Sequence, residues 1–251
     1  MIPDNILLFI VVGFLAQMID GALGMAYGVS STTFLLGIGV PPAIASACVH
    51  TSEVFTTAIS GLSHLKFGNI DKKLFLKLVF PGVLGGVTGA YLLTLDELQS
   101  IIKPIVSGYL LLMGIFILWK VTRKPQDREV TRFLMPLGAV GGFFDAIGGG
   151  GWGPIVTTTV VARGHSPRFT IGSVNASEFF VTLAQAITFV ITIPSLFSQN
   201  WQVIVGLLLG GCLAAPLAAY FCKKLPARTL MKLVGGAITF LSIRTIYLAL
   251  I

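Results

Sequence analysis

The stretch FFDAIGGGGWGPIVTTTVVARG, residues 143–164, decides how this chain folds. Four consecutive glycines and Pro154 interrupt an apolar segment that would otherwise form one helix. Each glycine costs about 1 kcal/mol relative to alanine inside a helix, and proline cannot continue a helix from behind. Proline is favourable, however, as an early residue of a new helix. The pattern therefore predicts a helix that breaks at the glycines and restarts at Pro154.

A related pattern occurs 125 residues earlier, as QMIDGALGMAYGVSSTTFLLG at residues 17–37. At this shift, without gaps, the chain aligns with itself at acidic, glycine and proline positions. The matching pairs are Asp20 with Asp145, Gly24 with Gly149, Gly28 with Gly153, Gly39 with Gly164, Pro42 with Pro167, and Ser52-Glu53 with Ser177-Glu178. Two copies of one unit predict transmembrane repeats at 1–120 and 133–251, joined by a basic linker at 121–132.

The composition indicates a lipid environment. The chain is 55% hydrophobic and 11% charged, whereas soluble domains usually carry about 25% charged residues. Only helices and closed barrels satisfy the backbone in lipid, and the apolar runs here are longer than barrel strands. The sequence therefore predicts an all-α polytopic membrane protein. The clear spans, each near the ~20 residues that a bilayer requires, are residues 43–62, 74–94, 104–120, 170–193, 201–221 and 229–251.

Basic residues predict the topology, because Lys and Arg concentrate in cytoplasmic loops. Fifteen of the seventeen lie at four places: Lys66, Lys72, Lys73 and Lys77; Lys120, Arg123, Lys124, Arg128 and Arg132; Arg163 and Arg168; Lys223, Lys224, Arg228 and Lys232. Loop 63–73 is basic, whereas its repeat partner 188–198 is uncharged. We therefore expect inverted copies, with both termini outside and a cytoplasmic linker. Each broken segment is then a re-entrant hairpin or two short spans.

The broken helices predict an anion site at the membrane midplane, between the copies. A new helix N-terminus presents free N–H groups, and glycine lets a ligand approach them. The alternative is that the glycines only allow close helix packing. Since no Lys or Arg lies securely within the inner half-helices, an anion would be held by backbone and small polar groups. The candidate substrate-binding residues are Gly24, Tyr27, Gly28, His50, Thr51, Ser52, Gly149, Gly150, Gly151, Trp152, Gly153, Thr157, Asn175 and Ser177.

Four of the ten acidic residues lie within apolar segments, as two repeat-related pairs. An ionised carboxylate at a helix centre costs about 2.5–3.5 kcal/mol on insertion scales, so these side chains should face protein or water. Asp20 and Asp145 precede the breaks, where a carboxylate can cap freed N–H groups. Glu53 and Glu178 are predicted to carry coupling protons, because an apolar environment favours the neutral carboxyl group. The alternative for the glutamates is a buried hydrogen-bonded network that joins two helices.

Other classes of function receive little support. The histidines and cysteines do not have the spacing of a metal site, and GGGGWGP lacks the Lys-Ser/Thr of a P-loop. We therefore expect no enzymatic activity, no metal, no cofactor and no nucleic-acid partner. Tyr27 and Trp152 are repeat equivalents within the breaks. Their side chains are expected either to line the cavity or to pack the hairpin.

Together these residues resemble the TauE/SafE sulfite exporter family of bacterial membrane proteins. Gly148–Pro154 is the most specific match, and Thr51-Ser52 is similar to the family's Thr-Ser, where copy 2 has Ala176-Ser177. The resemblance covers nearly the whole chain and implies export of sulfite, of organosulfonates such as sulfoacetate, and of related sulfur oxyanions. A passive anion channel and proton-coupled uptake of a related anion are the alternatives.

Overall fold

The computed structural model describes residues 5–23, 25–95, 99–120, 133–163 and 165–222, with scattered residues between 232 and 247. All regular structure in these ranges is helical. The helices are α1 (Ile6–Leu23), α2 (Tyr27–Gly37), α3 (Pro42–Lys66), α4 (Lys72–Leu93), α5 (Gln99–Lys120), α6 (Leu134–Gly148), a π-helical turn (Gly153–Thr157) that continues into α7 (Thr158–Ala162), α8 (Pro167–Thr192) and α9 (Leu196–Cys222). The predicted linker and most of the predicted span 229–251 lie outside the described residues.

The distribution of side chains is that of a membrane protein. On α4 the exposed side chains Phe80, Leu84 and Tyr91 form an apolar stripe at helical spacing. Polar side chains lie inside instead, with Thr32 and His50 fully buried. By length and hydropathy, three described helices can cross a membrane: Lys72–Leu93, Phe169–Thr192 and Leu196–Ala214. Shorter apolar helices cover Ile6–Asp20, Ile105–Trp119 and Leu134–Gly148.

The helices of the two halves pack in equivalent pairs. Helix α1 packs against α9, and α4 packs against α6. The 125-residue shift carries α1 onto α6 and α4 onto α9, so the first helix of each half packs on the fourth helix of the other. Small residues permit this close approach. In the α4–α6 pair, a side chain at Gly142 would overlap the backbone of Gly82.

The helices that carry the two buried glutamates, α3 and α8, pack against each other at the centre. Gly61 lies against Ala176, and Asn69, just beyond α3, lies against Gly172. Moving forward along α3 therefore means moving backward along α8, and the two helices are antiparallel. Under the 125-residue shift α3 and α8 are equivalent to each other, and the pair α1–α9 is equivalent to the pair α6–α4.

Candidate functional site

The two breaks in the chain meet inside the molecule. Copy 1 breaks between α1 and α2, where Ala26 has a φ of 115°. Copy 2 breaks after Gly148, where Gly149 and Gly150 have φ of 63° and 144°, conformations that favour glycine. A Cβ on Gly28 would lie 2.6 Å from the Cα of Gly150, so the two backbones are in direct contact. This contact requires glycine on both sides of the interface.

A hydrogen bond also joins the breaks. Thr32 on α2 donates its hydroxyl to the carbonyl of Gly149 at 2.6 Å. Gly150 N–H returns to the carbonyl of Asp145 at 2.9 Å, which closes the end of α6. The chain then resumes as the π-helical turn, a form that is rare and frequently found at functional sites. The tips of the broken helices are therefore fixed to each other as well as to their own copies.

The Asp145 carboxylate takes part in four hydrogen bonds. Its Oδ1 accepts from the backbone N–H of Gly151 at 2.7 Å and of Trp152 at 2.9 Å. Its Oδ2 lies 3.0 Å from Nε2 of Gln185 and 3.2 Å from Nε2 of His50. These donors come from the break itself, from α8 and from α3. Asp145 thus connects the tip of one copy to a side chain of the other.

His50 and Asp145 hold a proton between them. Nδ1 of His50 lies 2.8 Å from the carbonyl of Ser46, so this nitrogen carries a hydrogen. The Ser46 hydroxyl donates to the carbonyl of Ala146 at 2.5 Å and cannot also donate to the ring. With Nδ1 protonated, the approach of Nε2 to Oδ2 requires a second hydrogen, either on the ring or on the carboxyl group. The pair therefore contains one proton more than a neutral histidine beside an ionised aspartate.

Asp20, the repeat equivalent of Asp145, is held much more loosely. Its Oδ1 accepts from the Tyr27 N–H at 3.4 Å, and no other hydrogen bond reaches this carboxylate from the described residues. The side chain is also partly exposed, whereas Asp145 is buried. In the described part of the chain, Asn175, the repeat equivalent of His50, makes no hydrogen bond with Asp20 that parallels the His50–Asp145 pair.

A small cavity lies between the breaks, with room for about one water molecule, since its free space is about 10 Å³. The structure brings all four repeat-related acids to this cavity. They line it together with backbone of both breaks: Asp20, Glu53, Asp145 and Glu178, and Ala26, Gly28, Val29, Gly150, Gly151, Gly153 and Pro154. The carboxyl groups of Glu53 and Glu178 accept no hydrogen bond from any described residue. One side of the cavity is therefore rich in carboxyl groups that have no basic partner among the residues lining it.

Several predicted binding residues lie outside the cavity wall. Thr51 and Ser177 donate their hydroxyls to carbonyls of their own helices, those of Ala47 and Val174. Ser52 donates to Cys48 and, across the interface, lies 3.0 Å from the carbonyl of Ile204. Thr157 is buried and Asn175 half-buried, and neither lines the cavity. Gly24 lies outside the described residues.

The aromatic residues of the two breaks point away from the cavity. Tyr27 is buried and donates its hydroxyl to the carbonyl of Leu207 on α9 at 3.0 Å. Trp152 is fully buried and donates its ring N–H to the carbonyl of Val174 on α8 at 3.2 Å. Each aromatic side chain thus fixes the start of its half-helix to a neighbouring helix.

Two residues of the site were missed by the sequence reasoning. Gln185 lies seven residues after Glu178, on the same face of α8, and a buried amide in an apolar span was a usable signal. Tyr109 on α5 packs against Gly148 and Gly151, and its ring stacks on Phe144 with centroids 5.4 Å apart. Nothing in the spacing of residues around Tyr109 indicated this position.

An apolar exterior, a polar interior and two broken helices that meet at a central cavity define a helical membrane transporter. Comparison with known proteins gives the particular family. The chain matches the sulfite exporter TauE/SafE family over residues 9–245, and it belongs to that family. It is also 42% identical over 253 residues to a protein of Bacillus subtilis (strain 168) described as probable membrane transporter protein YtnM, covering 96% of this chain and 83% of that protein. No solved structure matches the chain.

Proposed function

We propose that this protein exports small sulfur oxyanions, such as sulfite and the organosulfonate sulfoacetate, by secondary transport. The observation that carries the proposal is the meeting of two broken helices, one from each copy, around one central cavity. Discontinuous helices at a repeat interface are the usual substrate sites of secondary transporters. Membership of the sulfite exporter family supports the choice of an oxyanion as substrate. We expect the candidate residues of both copies to contribute to the substrate site.

Inverted repeats are one of the two repeat arrangements found in secondary transporters, and we infer that the copies here are inverted. The antiparallel packing of the equivalent helices α3 and α8 supports this arrangement, as do the exchanged pairs α1–α9 and α4–α6. We infer repeats at 1–120 and 133–251, a cytoplasmic linker at 121–132, and both termini outside a bacterial inner membrane. A reporter fused to the C-terminus tests this topology. We expect the reporter to lie outside, and a reporter found in the cytoplasm would reject the topology.

The membrane potential favours export. With the cell interior negative, one negative charge that moves outward gains about 2.3 kcal/mol per 100 mV, and a dianion gains about twice that. Uptake of the same anion would have to be driven by a coupled ion. The free space of about 10 Å³ is also too small for a continuous aqueous pore. This conformation therefore favours a transporter that rearranges over a passive channel.

Protons are the coupling ion that the cavity favours. Ionised carboxylates at Glu53 and Glu178 would repel an anion, and proton uptake with the substrate removes that repulsion. Both glutamates line the cavity and lack hydrogen-bond partners among the described residues. We therefore expect Glu53→Gln and Glu178→Gln to abolish the dependence of flux on a pH gradient. If both variants keep the wild-type pH dependence, these side chains have a structural role only.

Reconstitution of the purified protein into liposomes tests the function directly. Sulfite, sulfoacetate, thiosulfate and sulfate are presented in turn, under imposed pH gradients and membrane potentials. We expect saturable efflux of at least sulfite or sulfoacetate. Rapid flux without saturation would indicate a channel, inward flux that follows a proton gradient would indicate uptake, and no response to any anion would reject the proposal.

A further inference from the structure

The groups around Asp145 form a complete receptor for one oxyanion. Two backbone N–H groups face Oδ1, and the side chains of Gln185 and His50 face Oδ2, all between 2.7 and 3.2 Å. Hydrogen bonds to a charged acceptor are roughly twice as strong as those between neutral groups. We propose that this receptor is the binding site for the transported oxyanion, and that the Asp145 carboxylate occupies it as a tethered anion until substrate replaces it. The choice of ligand rests on the proposed function.

Tyr109 gives independent support, because it supplies a donor that the carboxylate leaves unused. Its hydroxyl is buried beside Gly151, and it has no hydrogen-bond partner in the described part of the protein. Leaving a buried hydroxyl unsatisfied costs about 1–3 kcal/mol. A carboxylate has two oxygens, whereas sulfite and a sulfonate group have three. The third oxygen of such a substrate would accept from the Tyr109 hydroxyl, which is the fifth donor of the receptor.

The receptor also offers a substrate the hydrogen-bond donors that the rest of the cavity wall lacks. Asp145 lines the cavity with Asp20, Glu53 and Glu178, and the backbone of Gly151, which donates to Asp145, lines it too. A free anion in that cavity would meet three carboxyl groups and no basic side chain among the residues that line it. At the receptor the anion meets hydrogen-bond donors only. When substrate binds, the displaced Asp145 side chain can turn towards the cavity.

Removing the tethered carboxylate should therefore improve anion binding. Asp145→Ala and Asp145→Ser are purified in detergent, and thermal unfolding is followed while sulfite or methanesulfonate is added, with chloride as the reference anion. We expect both variants to be less stable than wild type without oxyanion. Added sulfite or methanesulfonate should restore a saturable part of the loss, with apparent affinity at least about tenfold tighter than for wild type, or about 1.4 kcal/mol.

Asp71→Ala is the matched control. Asp71 caps α4 and accepts from the N–H groups of Lys73 and Leu74 at 2.8 and 3.2 Å. It has no glutamine partner, and its nearest histidine, His165, lies 3.8 Å away and is partly exposed. Its removal should also destabilise the protein, but sulfite should give no more recovery than chloride. If sulfite and methanesulfonate stabilise the Asp145 variants no more than wild type or Asp71→Ala, then Asp145 is a permanent helix cap and the inference is wrong.

Tyr109→Phe tests the same site in a background whose fold should be intact. Because the buried hydroxyl has no partner in the described protein, its loss should not lower the unfolding temperature and should raise it slightly. The KM for sulfite efflux from liposomes should rise about tenfold, with little change in kcat. Tyr91→Phe, on the exposed face of α4, should change neither. An unchanged KM for Tyr109→Phe contradicts the inference.

The two proposals can fail separately. If wild-type liposomes transport sulfite while the Asp145 and Tyr109 variants behave as structural changes only, transport stands and the substrate binds elsewhere. If wild type transports none of the four anions and the Asp145 variants bind none, both proposals are rejected. Binding of sulfite by the variants without wild-type transport would retain the receptor and reject export.

Discussion

The two breaks occupy equivalent places in the repeats but differ in how their carboxylate is held. Asp145 takes part in four hydrogen bonds between 2.7 and 3.2 Å, whereas Asp20 accepts one at 3.4 Å from the described residues. The difference follows from a few substitutions between the copies. Where copy 1 has His50 and Ser60, copy 2 has Asn175 and Gln185.

Repetition of a break along the chain therefore does not repeat the way its carboxylate is held. Gly150 and Gly151 of copy 2 correspond to Met25 and Ala26 of copy 1, so only one break has backbone that can wrap closely around a carboxylate. The protein therefore holds one carboxylate in a complete set of hydrogen bonds and the other, at the opposite break, in a looser one. Single substitutions can make the two breaks more alike or more different.

Gly150→Ala should have the largest effect. At φ of 144° a side chain is strained, and its Cβ would overlap the backbone of Gly28 and Val29. We expect loss of folded protein in detergent, measured by size-exclusion chromatography. Gly39→Ala is the control, because Gly39 has a φ of 93° but no neighbouring atom within 4 Å of the place that a Cβ would take. Equal loss in both variants would show that strain alone, without the contact between the breaks, explains the result.

Asp145→Asn should destabilise the protein by about 3 kcal/mol, because it alters a buried network of charged hydrogen bonds. Asp20→Asn should cost less than about 1 kcal/mol, since one long hydrogen bond is affected. Thermal unfolding in the same detergent measures both. Similar losses in the two variants would contradict the asymmetry between the breaks.

His50→Asn gives copy 1 the residue that copy 2 has at the equivalent position. We expect a loss of about 2 kcal/mol, since one donor to Oδ2 is removed along with the proton that the pair shares. Asn175→His is the reciprocal change and should cost little, because no hydrogen bond ties Asn175 to Asp20 in the described structure. Unfolding measured across a range of pH would show whether the His50 contribution disappears at high pH, and a contribution that is constant with pH would argue against the shared proton.

Thr32→Val should have the smallest of these effects, about 1 kcal/mol, because it removes the single hydroxyl bond to the Gly149 carbonyl. Thr88→Val is the control, as Thr88 is exposed on α4 and bonds to Leu84 of its own helix. An effect at Thr32 no larger than at Thr88 would show that this hydrogen bond does not hold the breaks together.

Much of the fold could be predicted from the sequence, because its signals are local or periodic. The break at Gly148–Pro154 follows from the intrinsic properties of glycine and proline, and the helical membrane fold follows from composition. The family resemblance to sulfite exporters is confirmed over residues 9–245. The inverted orientation and the site residues remain predictions.

The partners of Asp145 could not be predicted, because they depend on contacts between distant parts of the chain. His50 was predicted from the sequence only as a substrate-binding residue, but its ring reaches Asp145, 95 residues away. Thr51, Ser52 and Ser177 looked like free polar groups, yet in helices such hydroxyls commonly bond to the preceding turn. Sequence periodicity gives the face of a helix and does not give the neighbour that the face meets.

The hydrogen bond from Thr32 to Gly149 has a consequence for biosynthesis. Its two residues are 117 positions apart, and Tyr27 bonds to a carbonyl 180 positions away. At a synthesis rate of about 5–20 residues per second, Gly149 is added roughly 6–23 s after Thr32, and Leu207 is added roughly 9–36 s after Tyr27. During that interval copy 1 is in the membrane without the groups that complete its polar interior. Membrane quality control can therefore act on the nascent first half of this protein.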